Sequence, residues 1–464
     1  MQTSIILWQL LFALAAAAVM GRVAVTVSAP LGLAALLAAA LIAVTLVSPR
    51  RGLETLVFSM MLSPELALGS VGGRLLTLRY DDLLLLAVFF TWFAKTAVSK
   101  ELKLFRRTPV TAPAAAYAFV CALSTLVGIL SGRLDAAKSA FYTLKYIEYF
   151  FLFLMAVNVT TDKAEVSRLL KMFILTALLV TAYAYNYHFR TGDRATAPFD
   201  DGLYGIRSSS EPGTLGGYYL VVFGLLLGMM TEMSGARLYA AAGVFMAMFP
   251  AFVLTLSRAS YAGFGVLVAA LLAGARRRGV VLAALLGAAL CVFINPSVRD
   301  SFYDRVELTF RGDRQFATHE VNLAGYNVKL EDSAAQRAWT WKWILFQKFP
   351  EHPFLGHGVT GVGFVDTQYG LILGELGIAG LCVFIWLAGA VYYAGRKCAL
   401  TAAAPWERGL GLGLIAALAG LLTHAITSNS FITVKIMQPF WLLAALAAAV
   451  AASNSAPQAG GGGE

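Results

Sequence analysis

Between His352 and Gly380 the chain reads HPFLGHGVTGVGFVDTQYGLILGELGIAG, a glycine-rich stretch carrying two histidines, an aspartate and a glutamate. Carboxylates and imidazoles are the side chains that take a proton from an attacking hydroxyl. Asp366 stands just ahead of a helix expected to begin near Tyr369, where a carboxylate serves equally well as a helix cap. His357, between Gly356 and Gly358, is the rival base; its glycines either admit a substrate or simply make the turn. His352 precedes Pro353 and reads as structural before it reads as a substrate contact. Glu375, Gly377 and Gly380 read as positioning the helix, with the glycines allowing close packing.

The second chemical theme is arginine. Its planar fork suits bidentate binding of phosphate better than the point charge of lysine. Arg258 lies in a hairpin so short that it must sit at a membrane face, Arg207 precedes a helix in GIRSSSEPGTLGG, and Arg337 and Arg79 follow as further candidates. A lipid-linked phosphate or pyrophosphate is the simplest partner for such a set. Contact with lipid headgroups is the plainer alternative for any one of them. Glu211, beside Arg207, either contacts a sugar or pairs with that arginine. Glu211, His352 and Tyr369 are the other expected substrate contacts. Lys145 and Glu148, three residues apart in an apolar span, read as a structural pair, and Arg79, Asp81 and Asp82 read as the capped opening of a helix.

The elements that must hold these groups are set by composition. Hydrophobic residues make up 59% of the chain and charged residues 13%, whereas an ordinary soluble protein has about a quarter charged. Apolar runs long enough to cross a hydrocarbon core of roughly 30 Å recur throughout. The expected fold is an all-α polytopic membrane protein of about fourteen spans: 4–21, 29–48, 53–69, 80–98, 110–131, 140–159, 166–187, 213–230, 237–256, 259–274, 279–295, 369–394, 407–425 and 436–452. Pro64 and Glu65 interrupt the third span, which is open to a re-entrant reading. The domain organisation is then 1–295 for the first helices, 296–368 for a long polar loop, 369–452 for the last helices and 453–464 for a flexible tail.

Short basic loops at Pro49–Arg51, Lys100–Arg107, Arg276–Arg278 and Arg396–Lys397 fall on one side if the spans alternate, which makes that side cytoplasmic and the long loop external. Within the loop, 296–332 reads as polar and irregular. From Ser333, a plausible N-cap, SAAQRAWTWKWILFQKF becomes amphipathic, with Trp339, Trp343, Phe346 and Phe349 near one face. That pattern describes a helix lying in the membrane interface as a lid. Cys121, Cys291, Cys382 and Cys398 lie far apart in or beside apolar segments, so neither a disulfide framework nor a thiolate metal site is expected.

Several of these pieces resemble the O-antigen ligase and O-antigen polymerase family. LRYDDLLLL at 78–86 resembles an early family helix, and TLSRAS at 255–260 its Ser-Arg outer turn. RAWTWKWILFQKFPEHPFLGHGVTGVG at 337–363 resembles its amphipathic helix and turn, and THAITSNSFITVKIMQPFWLL at 423–443 its closing segment. The ligase branch has a histidine and an amide or serine followed by two spaced glycines; here Asp366, Thr367, Gly377 and Gly380 take those places. Aspartate in place of histidine turns the resemblance toward the polymerase side.

The resemblance implies a fold like that of the GT-C glycosyltransferases in the bacterial cytoplasmic membrane, with its site facing the periplasm. It implies transfer of a glycan from an undecaprenyl-pyrophosphate donor to a sugar hydroxyl of a lipid-linked acceptor, without metal or other cofactor and with inversion in a single displacement. Membrane lipids, a chain-length regulator and a flippase are the implied partners, and no nucleic acid is expected. A ligase acting on lipid A-core is the alternative. A transporter or flippase of a lipid-linked or anionic solute is the rival from another class, though no internal repeat is evident to support it.

Overall fold

The computed structural model describes residues 40, 43–63, 65–71, 74–98, 106–199, 212–294, 296, 298–300, 303, 318–323, 326–363 and 365–455. In chain order the elements are α1 (Pro49–Leu62), β1 (Glu65–Val71), β2 (Arg74–Arg79), α2 (Tyr80–Val98), α3 (Thr111–Leu130), α4 (Ala136–Val159), α5 (Lys163–Thr191), α6 (Pro212–Glu232) and α7 (Ala236–Val253). Then come α8 (Arg258–Gly274), α9 (Arg278–Ile294), β3 (Thr318–Leu323), β4 (Tyr326–Glu331), α10 (Asp332–Trp343), a π-helical turn at Ile344–Lys348, α11 (Phe349–Glu351), α12 (Gln368–Thr401), α13 (Pro405–His424) and α14 (Val434–Ser455). The protein is a helical membrane protein. Seven of its described helices (α3, α4, α5, α6, α7, α12 and α14) are long and apolar enough to cross a bilayer, and α8 and α9 are shorter apolar helices.

From 80–98 onward, the expected spans coincide with helices to within a few residues at most ends, because apolar length is the dominant signal in such a chain. The expected span 4–21 and most of 29–48 lie outside the described residues. The span expected at 53–69 is not one helix. α1 stops at Leu62 and the chain turns into the antiparallel pair β1–β2, paired from Glu65↔Arg79 to Val71↔Arg74 with a shift of register between Ala67 and Gly69. The loop expected to be irregular over 296–332 likewise contains a second antiparallel pair, β3–β4, closing at Leu323↔Tyr326. Its sequence, THEVNL and YNVKLE, alternates polar and apolar residues with the period of a strand.

Helix α13 sits at the centre of the bundle against α6, α8 and α12, and the contacts are backbone to backbone. A Cβ placed on Gly224 would lie 2.7 Å from the Gly413 carbonyl oxygen, and one on Gly228 2.5 Å from that of Gly409. Gly263 of α8 meets the Gly420 carbonyl in the same way, and Gly411 meets that of Gly395 in α12. Small residues are what let apolar helices approach so closely where lipid offers no hydrophobic drive between them. Beside this seam, Phe223 packs against Phe245 and Phe252 with ring centroids 5.0 and 5.4 Å apart, tying α7 to α6.

Ion pairs collect at one end of the bundle. Arg50 pairs with Glu165, Lys163 with Glu407 at 2.7 Å, and Arg408 with Glu232 at 3.2 Å. Arg277 donates to the Met233 carbonyl nearby, and the amide of Arg106 to Asn158. Arg50, Arg106 and Arg277, from three of the basic loops, therefore lie at one end.

Helix α12 is interrupted. Gly377 has φ +63° and ψ −159°, which splits α12 into two halves inside an apolar run. A break there leaves carbonyls of the first half and amides of the second without intrahelical partners. The turn at 353–358 supplies them: Ile378 N–H donates to Pro353 O (2.8 Å) and Ala379 N–H to Phe354 O (3.1 Å), while His357 and Gly358 N–H donate to Gly374 O and Glu375 O (2.9 Å each). Any Cβ on Gly377 would lie 2.5 Å from the Phe354 oxygen. Replacing Gly377 by alanine combines roughly 1–3 kcal/mol of left-handed strain with a backbone clash. The variant is expected to melt well below the wild type in detergent, whereas Gly389→Ala, on the same helix with open space around it, should melt at or above it. Equal melting of the two variants would remove this account of the break.

Candidate functional site

The turn is the scaffold of the site. Glu375, 1% exposed, accepts from Tyr146 Oη at 3.0 Å and from Thr360 N–H at 2.8 Å. Thr360 holds φ +76°, unusual outside glycine, and its hydroxyl also shares a 2.8 Å hydrogen bond with Ser139. Ser124 donates toward the carbonyls of Glu375 and Leu355. A buried carboxylate thus spends its hydrogen bonds holding a strained turn, which makes Glu375 a positioning residue, as its place in an apolar run suggested.

His357 belongs to the same scaffold. Its side chain is nearly buried, its Nε2 lies 2.9 Å from the Lys348 carbonyl, and its ring stacks edge-on against His352 at 4.7 Å. A ring nitrogen facing a carbonyl must carry the proton, so Nε2 acts as donor to the turn. Glu351 approaches the same Nε2 at 3.5 Å and pairs with Lys348 at 3.0 Å.

Asp366 and Arg337, chosen separately from the sequence, are brought together. Arg337 Nε donates to Asp366 Oδ2 at 3.1 Å, and both side chains are about one-third exposed. Asp366 does not cap the helix: α12 starts at Gln368, its N-cap is Thr367, and that cap makes no side-chain hydrogen bond. The segment around Asp366 is stapled to the link between α13 and α14. Asn429 Nδ2 donates to Val365 O (2.5 Å), Gln368 N–H to Ala425 O (3.1 Å) and Phe431 N–H to Gln368 Oε1 (2.9 Å).

Four buried polar atoms lie in these stapled segments without a hydrogen-bond partner: Thr367 Oγ1, Gln368 Nε2, His424 Nε2 and Asn429 Oδ1. His424 is fully buried and shares a 2.7 Å hydrogen bond from Nδ1 with Ser430 Oγ. The four include a donor (Gln368), an acceptor (Asn429) and two groups able to act as either. Sequence reading passed over His424, Gln368 and Asn429 as site residues, and their only signal was polarity next to apolar helices.

The remaining expected residues are dispersed. Tyr369 donates from its hydroxyl to Leu422 O at 2.7 Å, joining α12 to α13. Arg258 is the first residue of α8, half-buried, behind the N-cap Ser257. The turn that presents it carries Leu256 at φ +49° and is braced by Arg194, whose guanidinium donates to Thr255 O and Leu256 O at 2.9 and 2.8 Å. Arg194 is a structural arginine that sequence alone could not separate from its neighbours.

Arg79 is only 2% exposed and is bonded to Asp81 (2.8 Å) and the Met60 carbonyl (3.0 Å). Its buried guanidinium serves the start of α2. Lys145 pairs with Asp82 at 2.7 Å, not with Glu148 three residues along its own helix, because α2 brings a carboxylate alongside α4. Arg207 and Glu211 lie outside the described residues.

On the rim, Trp339, Phe346 and Phe354 are exposed while Ile344 is buried, and His319 of β3 packs edge-on against Trp339 at 5.2 Å. Exposed aromatics beside a polar site are the pattern of a helix lying at headgroup depth. Among the described residues, no group of three or more His, Cys, Asp or Glu is placed to hold a metal ion. No protein-family model matches the chain, and no curated protein matches it.

The turn should respond to acid. Partial burial, reinforced by Arg133 and His357, lowers the His352 pKa from its usual 6.5, and the hydrogen bond from Lys348 lowers that of Glu351 from 4.5. Both folded forms bind fewer protons than the unfolded chain, so both contributions are present at higher pH and lost as pH falls. The His352 contribution is lost first, from 6.5 downward, and that of Glu351 below 4.5. Amide exchange at His357 and Gly358, corrected for intrinsic rates, should therefore accelerate between about pH 7 and pH 5. His352→Gln should abolish that step; an unchanged step in the variant would assign it elsewhere.

Proposed function

We propose that the protein is a glycan transferase of the membrane interface, joining lipid-pyrophosphate-linked repeat units of an O-antigen or exopolysaccharide outside the cytoplasmic membrane. The observation that carries the reading is the Arg337–Asp366 pair, about one-third exposed and rimmed by exposed aromatics. The resemblance of 337–380 to O-antigen polymerases and ligases supports the same class, and aspartate at 366 favours the polymerase.

In this reading the acceptor hydroxyl oxygen attacks the anomeric carbon while the bond from that carbon to the pyrophosphate oxygen breaks. The bonding pair leaves with the pyrophosphate and the hydroxyl proton passes to Asp366. Arg337 turns its fork from Asp366 to the developing phosphate charge, which both stabilises the leaving group and frees the carboxylate. Arg258, on its braced turn, is a second cation for the pyrophosphate. A single displacement inverts the anomeric centre. His357 holds the turn and takes no proton from substrate.

The test is purified protein in lipid vesicles with an undecaprenyl-pyrophosphate oligosaccharide. A ladder of lengthened lipid-linked products is expected; transfer only to added lipid A-core would make the protein a ligase. Asp366→Asn should lower turnover by roughly 10²- to 10⁴-fold with donor binding retained, and Arg337→Ala should weaken both binding and turnover. Full turnover in Asp366→Asn would remove the base from this scheme, and no transfer of any kind from a bound donor would remove the enzyme.

A further inference from the structure

At the opposite end of the bundle from the Arg337–Asp366 pair, a cleft of about 440 Å³ opens between the end of α6, the α8–α9 link and the α12–α13 link. That is the size of a small-molecule site, which is typically ~300–1,000 Å³. Arg276 and Arg277 reach it from one link and Arg408 from the first turn of α13, against one carboxylate, Glu232. Three cations and one anion leave a net charge of about +2 on the lining.

Two further observations point to an anion. Arg408 Nε lies 3.2 Å from Glu232 Oε1, so this pair leaves the charges of Arg276 and Arg277 as the excess on the lining. The cleft also receives the start of the twenty-residue helix α13, whose N-cap Ala404 offers no side-chain acceptor. The first amides of a helix and its positive end both favour a negatively charged ligand. Insertion into a membrane asks only that basic residues lie at this end; it does not ask two separate links to aim them into one cleft.

We propose that this cleft binds a phosphate-bearing anion, either the headgroup of an acidic phospholipid in the adjoining leaflet or free phosphate. Basic clefts between membrane helices are suited to acidic headgroups, whose phosphate meets the arginine forks while the acyl chains stay in the bilayer. The site is independent of the glycan-transfer reading and stands if that reading fails.

The experiment compares wild type, the double variant Arg276→Gln/Arg277→Gln and the control Arg237→Gln. Arg276 and Arg277 are exposed, so their loss spares the core, and Arg237 is exposed at the start of α7, outside the cleft lining. Retention of phosphatidylglycerol is measured by native mass spectrometry after delipidation, and unfolding temperature is measured with phosphatidylglycerol, phosphatidylcholine or inorganic phosphate added. Wild type and the control should retain phosphatidylglycerol and unfold at higher temperature with it, and the double variant should bind it about tenfold more weakly or worse. A response to inorganic phosphate alone, lost in the double variant, would assign the site to a soluble phosphate. Equal retention and equal unfolding shifts in the wild type and the double variant would overturn the proposal.

Discussion

A helix broken inside an apolar bundle must have its exposed amides and carbonyls met by protein, because hydrocarbon offers them nothing. At Gly377 that obligation is discharged by the backbone of 353–358, with two bonds running each way between turn and helix. Turn and break are therefore a single device. Neither can form without the other, and the chain between them is held to a path that brings Asp366 to the start of α12. Glu375, Ser124 and Ser139 add side-chain bonds that keep the path strained and fixed.

The rest of the loop face follows from that junction. The helical run from Asp332 to Glu351 ends where the turn begins, so Arg337 is carried out over Asp366 and Trp341 reaches the Ile426 carbonyl. The link between α13 and α14 is drawn against the same segment through Asn429, Gln368 and Phe431. The polar groups of this segment lie at that end beside exposed aromatics, which suit headgroup depth.

Much of this was legible in the chain before any coordinates. Apolar length located the helices, and the glycine-rich run after Pro353 marked the turn, since both signals depend on local residues alone. What stayed hidden depends on neighbours far along the chain. Asp366 read equally as a base and as a cap because nothing in its vicinity showed that Arg337 would reach it. Lys145 read as the partner of Glu148 because Asp82, on another helix, was invisible to spacing along α4. Arg79 read both as a ligand-facing cation and as part of a capped helix opening, and it is committed to Asp81 and the Met60 carbonyl of its own chain. The two hairpins were missed for a different reason: a hydropathy window averages away an alternation of period two.

The glycine seams of α13 carry one more implication. Where carbonyl oxygens of one helix nest against Cα atoms of the next, sliding by even one residue would drive a side chain into backbone. The four helices α6, α8, α12 and α13 are thus locked in register with one another by backbone contact, with no side chain between them to yield.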